Sequence, residues 1–108
     1  MQAMNEKVHC VYMMSNEPDG VLYVGASSNL VQRVYQHKTN AVPGFTQHYR
    51  VHRLVWFEVH GDALAMVTRE RQLKEWPRAW KVRLVESVNR RWHDLYGELL
   101  GGPCLTDK

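Results

Sequence analysis

The chain has 108 residues, of which 44% are hydrophobic, 23% charged and 10% aromatic, with a formal net charge of +3. That length fits one domain and no second, and the apolar share is that of a globular protein able to bury a core without a disulfide or metal staple. Two cysteines, Cys10 and Cys104, make neither a disulfide framework nor a ligand cluster. The first residues lack the apolar stretch of a signal peptide, and no apolar run approaches the roughly 20 residues that span a bilayer. The expectation is a soluble protein of a reducing cytoplasm, without membrane contact.

In chain order, Val8 to Met14 and Val21 to Ala26 are short apolar runs separated by the turn cluster Ser15 to Gly20. They read as a β-hairpin with a longer loop. A loop symmetric about its centre sets Met14 opposite Val21 and Tyr12 opposite Tyr23. Alternation then places Val11, Met13, Leu22 and Val24 on one sheet face and Cys10, Tyr12, Tyr23 and Gly25 on the other. Ser27 or Ser28 can cap a helix from Asn29 to Lys38 with Leu30, Val31 and Val34 as its apolar stripe. Asn40 to Thr46 is a loop, and Leu54 to Val59 a third strand. Gly61-Asp62 opens a helix that runs to Glu75 and stops at Pro77. A helix from Arg78 to Val88 follows, then a last turn or short helix within Arg91 to Leu100. The expectation is an α+β domain over residues 1–100, a small three-stranded, mainly antiparallel sheet flanked by helices in the order β-β-α-β-α-α, with a frayed tail at 101–108.

Nine basic against five acidic residues lie between Arg53 and Arg91, a surplus suited to phosphate backbones or to an ordinary solvated helix surface. Arg33 and His37 are four apart and so project from one helix face. Gly25 and Ala26 permit close backbone approach. Glu70 lies mid-helix among Arg69, Arg71 and Lys74. Each has a plain alternative: an ion pair between Glu70 and Lys74, a solvated Arg33, and a His37 that caps a helix end. The six histidines lack the spacing of a structural zinc site, and Trp56, Trp76, Trp80 and Trp92 are better read as core than as base-stacking platforms.

The order of Cys10-Val11-Tyr12, Tyr23-Val24-Gly25, then a helix with Leu30, Arg33 and His37, then Glu70, resembles the GIY-YIG nuclease superfamily over about Val8 to Leu99. It is closest to the small stand-alone bacterial members, including Val42-Pro43-Gly44-Phe45-Thr46 and Trp92-His93-Asp94-Leu95. The resemblance implies a metal-dependent endonuclease that hydrolyses phosphodiester bonds in nucleic acid, with DNA the favoured substrate and a repair or processing role. It implies Tyr12, Tyr23, Arg33, His37 and Glu70 as catalytic residues, with Glu70 holding Mg2+ or Mn2+. Magnesium keeps several waters, so one carboxylate suffices; the fork of Arg33 suits phosphate oxygens. The general base stays open between Tyr12, Tyr23 and His37. Arg33, Arg50, Arg69, Lys74 and Arg78 are the expected nucleic-acid contacts, and the segment around Thr46, His48, Tyr49 and Arg50 could border the substrate groove. Cys10 replaces the first glycine of the motif, and Val82 stands where many members have an asparagine; Asn89 does not match that spacing. The alternative is a catalytically silent nucleic-acid-binding module. A protein partner for targeting, and a monomer or weak homodimer, complete the expectations.

Overall fold

In a computed structural model, residues 7–41, 44 and 48–101 are described. The elements are β1 (His9–Ser15), β2 (Leu22–Ser27), α1 (Leu30–Lys38), β3 (Arg53–His60), α2 (Ala63–Glu75), α3 (Arg78–Val88) and α4 (Tyr96–Leu99). The strands form one antiparallel sheet of order β2-β1-β3, and the fold is α+β as the sequence predicts. β1 is central and buried from Cys10 to Ser15. A strand covered on both faces needs apolar residues at successive positions, which is why its sequence reads as an unbroken run.

The alternation of faces matches the expectation. Val11, Met13 and Val24 pack with Val55, Trp56, Leu73 of α2, Val85 of α3 and Trp92, with Leu22 at the margin. Cys10, Tyr12 and Met14 pack on the other face with Leu30 and Val34 of α1, Val51 and Leu54, and Tyr23 joins them.

The hairpin register differs from the symmetric expectation: Met14 faces Tyr23 and Tyr12 faces Gly25. The cause lies in the loop. The Asn16 side-chain oxygen accepts the Val21 N–H at 2.9 Å, the Gly20 N–H reaches the Glu17 carbonyl at 3.0 Å, and Asp19 turns the chain with φ 58°. Val21 is thereby drawn into the loop. Because the slip is two residues, every side chain keeps its face.

The cap of α1 is Asn29, not Ser27 or Ser28: Asn29 Oδ1 accepts the Gln32 N–H at 3.2 Å, while Ser27 Oγ accepts the Asn29 N–H at 2.9 Å. The inward stripe is Leu30, Val34 and His37; Val31 faces out. β3 carries a bulge, since Met13 faces Trp56 and Met14 faces Leu54, leaving Val55 as the extra residue. Of the predicted C-terminal segment, Tyr96–Leu99 alone is helical; Asn89 and Asp94 sew the rest to the sheet. Asn89 Nδ2 donates to the Val55 and His93 carbonyls at 3.0 and 2.8 Å, and Asp94 accepts the Leu54 N–H and pairs with Lys38 of α1. Of the Val42-Pro43-Gly44-Phe45-Thr46 motif only Gly44 is described, and Cys104 with the rest of 102–108 lies outside the described residues. Among the described residues no helix is long and apolar enough to cross a membrane.

Candidate functional site

Three aromatic rings gather on the face covered by α1. Tyr12 lies across from Gly25, and its ring occupies the space a side chain there would need: a Cβ on Gly25 would stand 2.6 Å from Tyr12 Cζ and Oη and 2.9 Å from Tyr23 Cε2. Glycine on an edge strand is commonly covered by a cross-strand aromatic in this way. The Tyr12 and Tyr23 ring centroids are 6.3 Å apart. His37 closes the group with centroids 5.7 Å from Tyr12 and 5.4 Å from Tyr23. Its Nε2 is 2.9 Å from Tyr12 Oη. The plain expectation for His37, a cap at the helix end, does not describe a ring that is 1% exposed and bonded to a strand.

Burial governs the charge state of this pair. Tyr12, 1% exposed, has its phenol pushed well above the usual 10, first by burial, then by the neighbouring Tyr23; the Arg33 guanidinium opposes the shift and the Glu70 carboxylate adds to it. His37 is lowered to about 4, by burial first and then by the positive charge of Arg33 and by His52. Both groups are therefore neutral at neutral pH. Among the described residues, His37 Nδ1 is buried without a hydrogen-bond partner.

Glu70 arrives from α2, which packs on the opposite face of the sheet. Met66, Glu70 and Leu73 fall on one stripe of that helix; Leu73 is buried in the core and Met66 packs against it. The Glu70 side chain is 21% exposed and pairs with Lys74 at 3.1 Å, the latter 51% exposed. The expected i,i+4 ion pair thus forms, yet the same carboxylate also acts on the Tyr12 phenol. Charges from α1 and α2 meet at a phenol on the strand between them.

Of the expected nucleic-acid contacts, Arg33 acts electrostatically on Tyr12 and His37, and Lys74 shares a cleft with Tyr23. Arg69 is held by Glu58 at 3.0 Å and Gln72 at 2.6 Å and lies over the Trp76 ring. Arg78 binds the Asp19 carboxylate and carbonyl at 3.2 and 3.0 Å, and Arg50 is exposed with φ 55°. Trp56 and Trp92 are core residues, whereas Trp80 is exposed with its ring against Trp76. Sequence reasoning missed His52, which bonds Asn40 at 3.1 Å and helps hold His37 neutral; no spacing relates residues 37 and 52. It also missed Lys81, which shares a cleft with Tyr23 and Lys74.

Among the described residues no three His, Cys, Asp or Glu side chains gather to hold a metal ion. The carboxylate of Glu70, half-sheltered and held by one solvent-exposed lysine, is a donor set that fits a hard cation which keeps most of its waters and does not fit zinc. Comparison with known proteins matches residues 8–83 to the profile described as the GIY-YIG catalytic domain, a span that contains Tyr12, Tyr23, Arg33, His37 and Glu70. No curated protein and no solved structure gives a significant match.

Proposed function

The chain belongs to the GIY-YIG family, whose domains are usually nucleases, and on that premise we propose that it is a divalent-metal-dependent endonuclease acting on DNA in repair or processing. The observation that carries this reading is the convergence on Tyr12: a hydrogen bond to His37 Nε2 on α1, and the electrostatic influence of Tyr23 on β2, Arg33 on α1 and Glu70 on α2.

Glu70 would hold the cation, Mg2+ or Mn2+, which when bound supplies positive charge against the developing charge of the phosphate. Arg33 offers its fork to non-bridging oxygens. Tyr23, half-buried at the rim, orients the phosphate or the attacking water. The Tyr12–His37 pair handles the proton. As the water's proton passes to Tyr12 Oη, the phenol's own proton passes along the 2.9 Å bond to His37 Nε2, so the costly phenolate never accumulates. In the free protein Arg33 holds down the proton affinity of His37; a phosphate paired with Arg33 offsets that charge and restores it.

One observation favours the silent binding module: Lys74 already neutralises Glu70 without a metal. One experiment decides between them. The protein is incubated with plasmid, single-stranded and branched DNA, with and without magnesium or manganese, beside Glu70→Ala and Arg33→Ala. The nuclease reading expects metal-dependent cleavage that both variants lose by about 100-fold or more. Binding with no metal-dependent cleavage of any substrate refutes it in favour of the silent module.

A further inference from the structure

Beside the ring cluster, the outer edge of β2 and the facing sides of α2 and α3 enclose an open cleft of about 280 Å³ lined by Leu22, Tyr23, Val24, Lys74 and Lys81. Its chemistry is one-sided. Leu22 and Val24 supply apolar lining, Tyr23, whose ring packs on the α1 face, borders it through the strand edge, and two lysines complete it. Lys74 has a counter-charge in Glu70 at 3.1 Å. Lys81 is partly buried and, among the described residues, forms no ion pair with a carboxylate. A lysine beside apolar surface and without a carboxylate partner keeps its charge available to an incoming anion. The cleft falls just short of the roughly 300 Å³ at which drug-sized ligand pockets begin, which suits a phosphate with part of its sugar. It also shares Tyr23 with the cluster where the reacting phosphate is proposed to sit.

We propose that this cleft is a second phosphate subsite, in which Lys81 grips a backbone phosphate of the same strand adjacent to the one being cleaved. The proposal rests on the reading of the protein as a nuclease. Lys81 fixes the strand's register rather than touching the reacting atoms. Lys74 joins it whenever the Glu70 carboxylate turns to a metal ion, since a cation on Glu70 repels the ammonium now 3.1 Å away.

The test is binding of a fluorescein-labelled single-stranded oligonucleotide and its duplex by anisotropy, in EDTA so that no strand is cut, across a sodium chloride series. Loss of one lysine–phosphate contact lowers the slope of log affinity against log salt by about 0.9 for duplex or about 0.7 for single strand. Lys81→Gln is expected to show that drop, with affinity about five-fold weaker at low salt and an unchanged melting temperature, whereas Lys81→Arg keeps the wild-type slope. An unchanged slope in Lys81→Gln, or an equal loss in Lys81→Arg, overturns the subsite. A parallel magnesium cleavage assay separates the two readings. Wild-type cleavage with an unchanged Lys81→Gln slope defeats the subsite alone; a lowered slope with no wild-type cleavage leaves Lys81 a phosphate contact of a binding module and defeats both the nuclease and a subsite beside a cleaved phosphate. Absence of wild-type binding to either strand form defeats both.

Discussion

Replacing Gly25 by alanine tests the packing from which the site is built. The added Cβ would sit 2.6 Å from Tyr12 Cζ and Oη, whereas ordinary contact begins at 3.4 Å, so the phenol must retreat by about 0.8 Å. It has little room, because Tyr12 is buried among Cys10, Met14, Leu30 and Val34. A retreat directed along its bond to His37, now 2.9 Å, would take that bond to about 3.7 Å, past the limit of a hydrogen bond. Overpacking of this kind costs about 1–3 kcal/mol, and each kcal/mol lowers the melting temperature of a domain near this size by about 4–8 °C. Displacement of a reacting group by close to 1 Å costs about 100-fold in rate. The assay is thermal unfolding together with metal-dependent cleavage under conditions where the variant is folded. Gly61→Ala is the control, since no atom of the described residues lies within 4 Å of its added Cβ, and it should stay within about 0.5 kcal/mol of wild type. A Gly25→Ala protein that melts and cleaves like wild type would refute the close stacking of Tyr12 on the β2 backbone.

His37 sets an acid limit on stability. Its folded value of about 4 lies below the usual 6.5, so the unfolded chain takes up the proton first, and stability present above pH 6.5 is lost as pH falls to 4. The loss is about 3 kcal/mol at most, and urea titrations at stepped pH should show it in wild type and not in His37→Gln. Tyr12 acts at the alkaline end: its raised phenol stays neutral in the fold while the unfolded chain ionises, so stability falls above pH 10 in wild type and not in Tyr12→Phe. Arg33→Ala should move the His37 titration upward from about 4, because Arg33 is one of the charges holding it down; NMR of the imidazole protons reads this without substrate, and an unmoved value would separate Arg33 from the site. Asn89→Ala removes both donations to the Val55 and His93 carbonyls and the acceptor for the His93 N–H at 3.0 Å. It should cost about 1–3 kcal/mol in chemical unfolding while leaving cleavage per folded molecule unchanged.

What the sequence made legible follows from periodicity and stop signals. Pro77 ends α2 within a residue or two of the expected place, and the two-residue period of β1 and β2 divides Tyr12 and Tyr23 from Val11 and Val24 as observed. A loop's internal hydrogen bonds leave no mark of that sort. Asn16 could as well have been solvated, so the partner of Tyr12 on β2 was misassigned by two positions although its face was not. The inward turn of His37 was hidden for a related reason. Histidine has no fixed preference between surface and core, and only the Tyr12 hydroxyl, brought from another element, makes its burial tolerable. His52 and Lys81 enter through tertiary packing alone, which a spacing rule cannot see.

Glu70 is the residue where stability and chemistry can be weighed against each other. It occupies the stripe of α2 between Met66 and Leu73, a place where an apolar side chain of similar size, once buried, would contribute about 1.5–3 kcal/mol. Its pair with the half-exposed Lys74 returns about 0.3–0.5 kcal/mol, and its negative charge works against the ionised form of the Tyr12 phenol. On folding energy alone the position favours leucine or methionine. A carboxylate there breaks the local pattern at a net cost to the fold, and such departures concentrate where a protein binds or reacts. In this chain the departure is a charge that, like those of Arg33 and Tyr23, is felt at the Tyr12 phenol, which is the physical reason for proposing Glu70 as the cation's ligand rather than as one more charge on a helix.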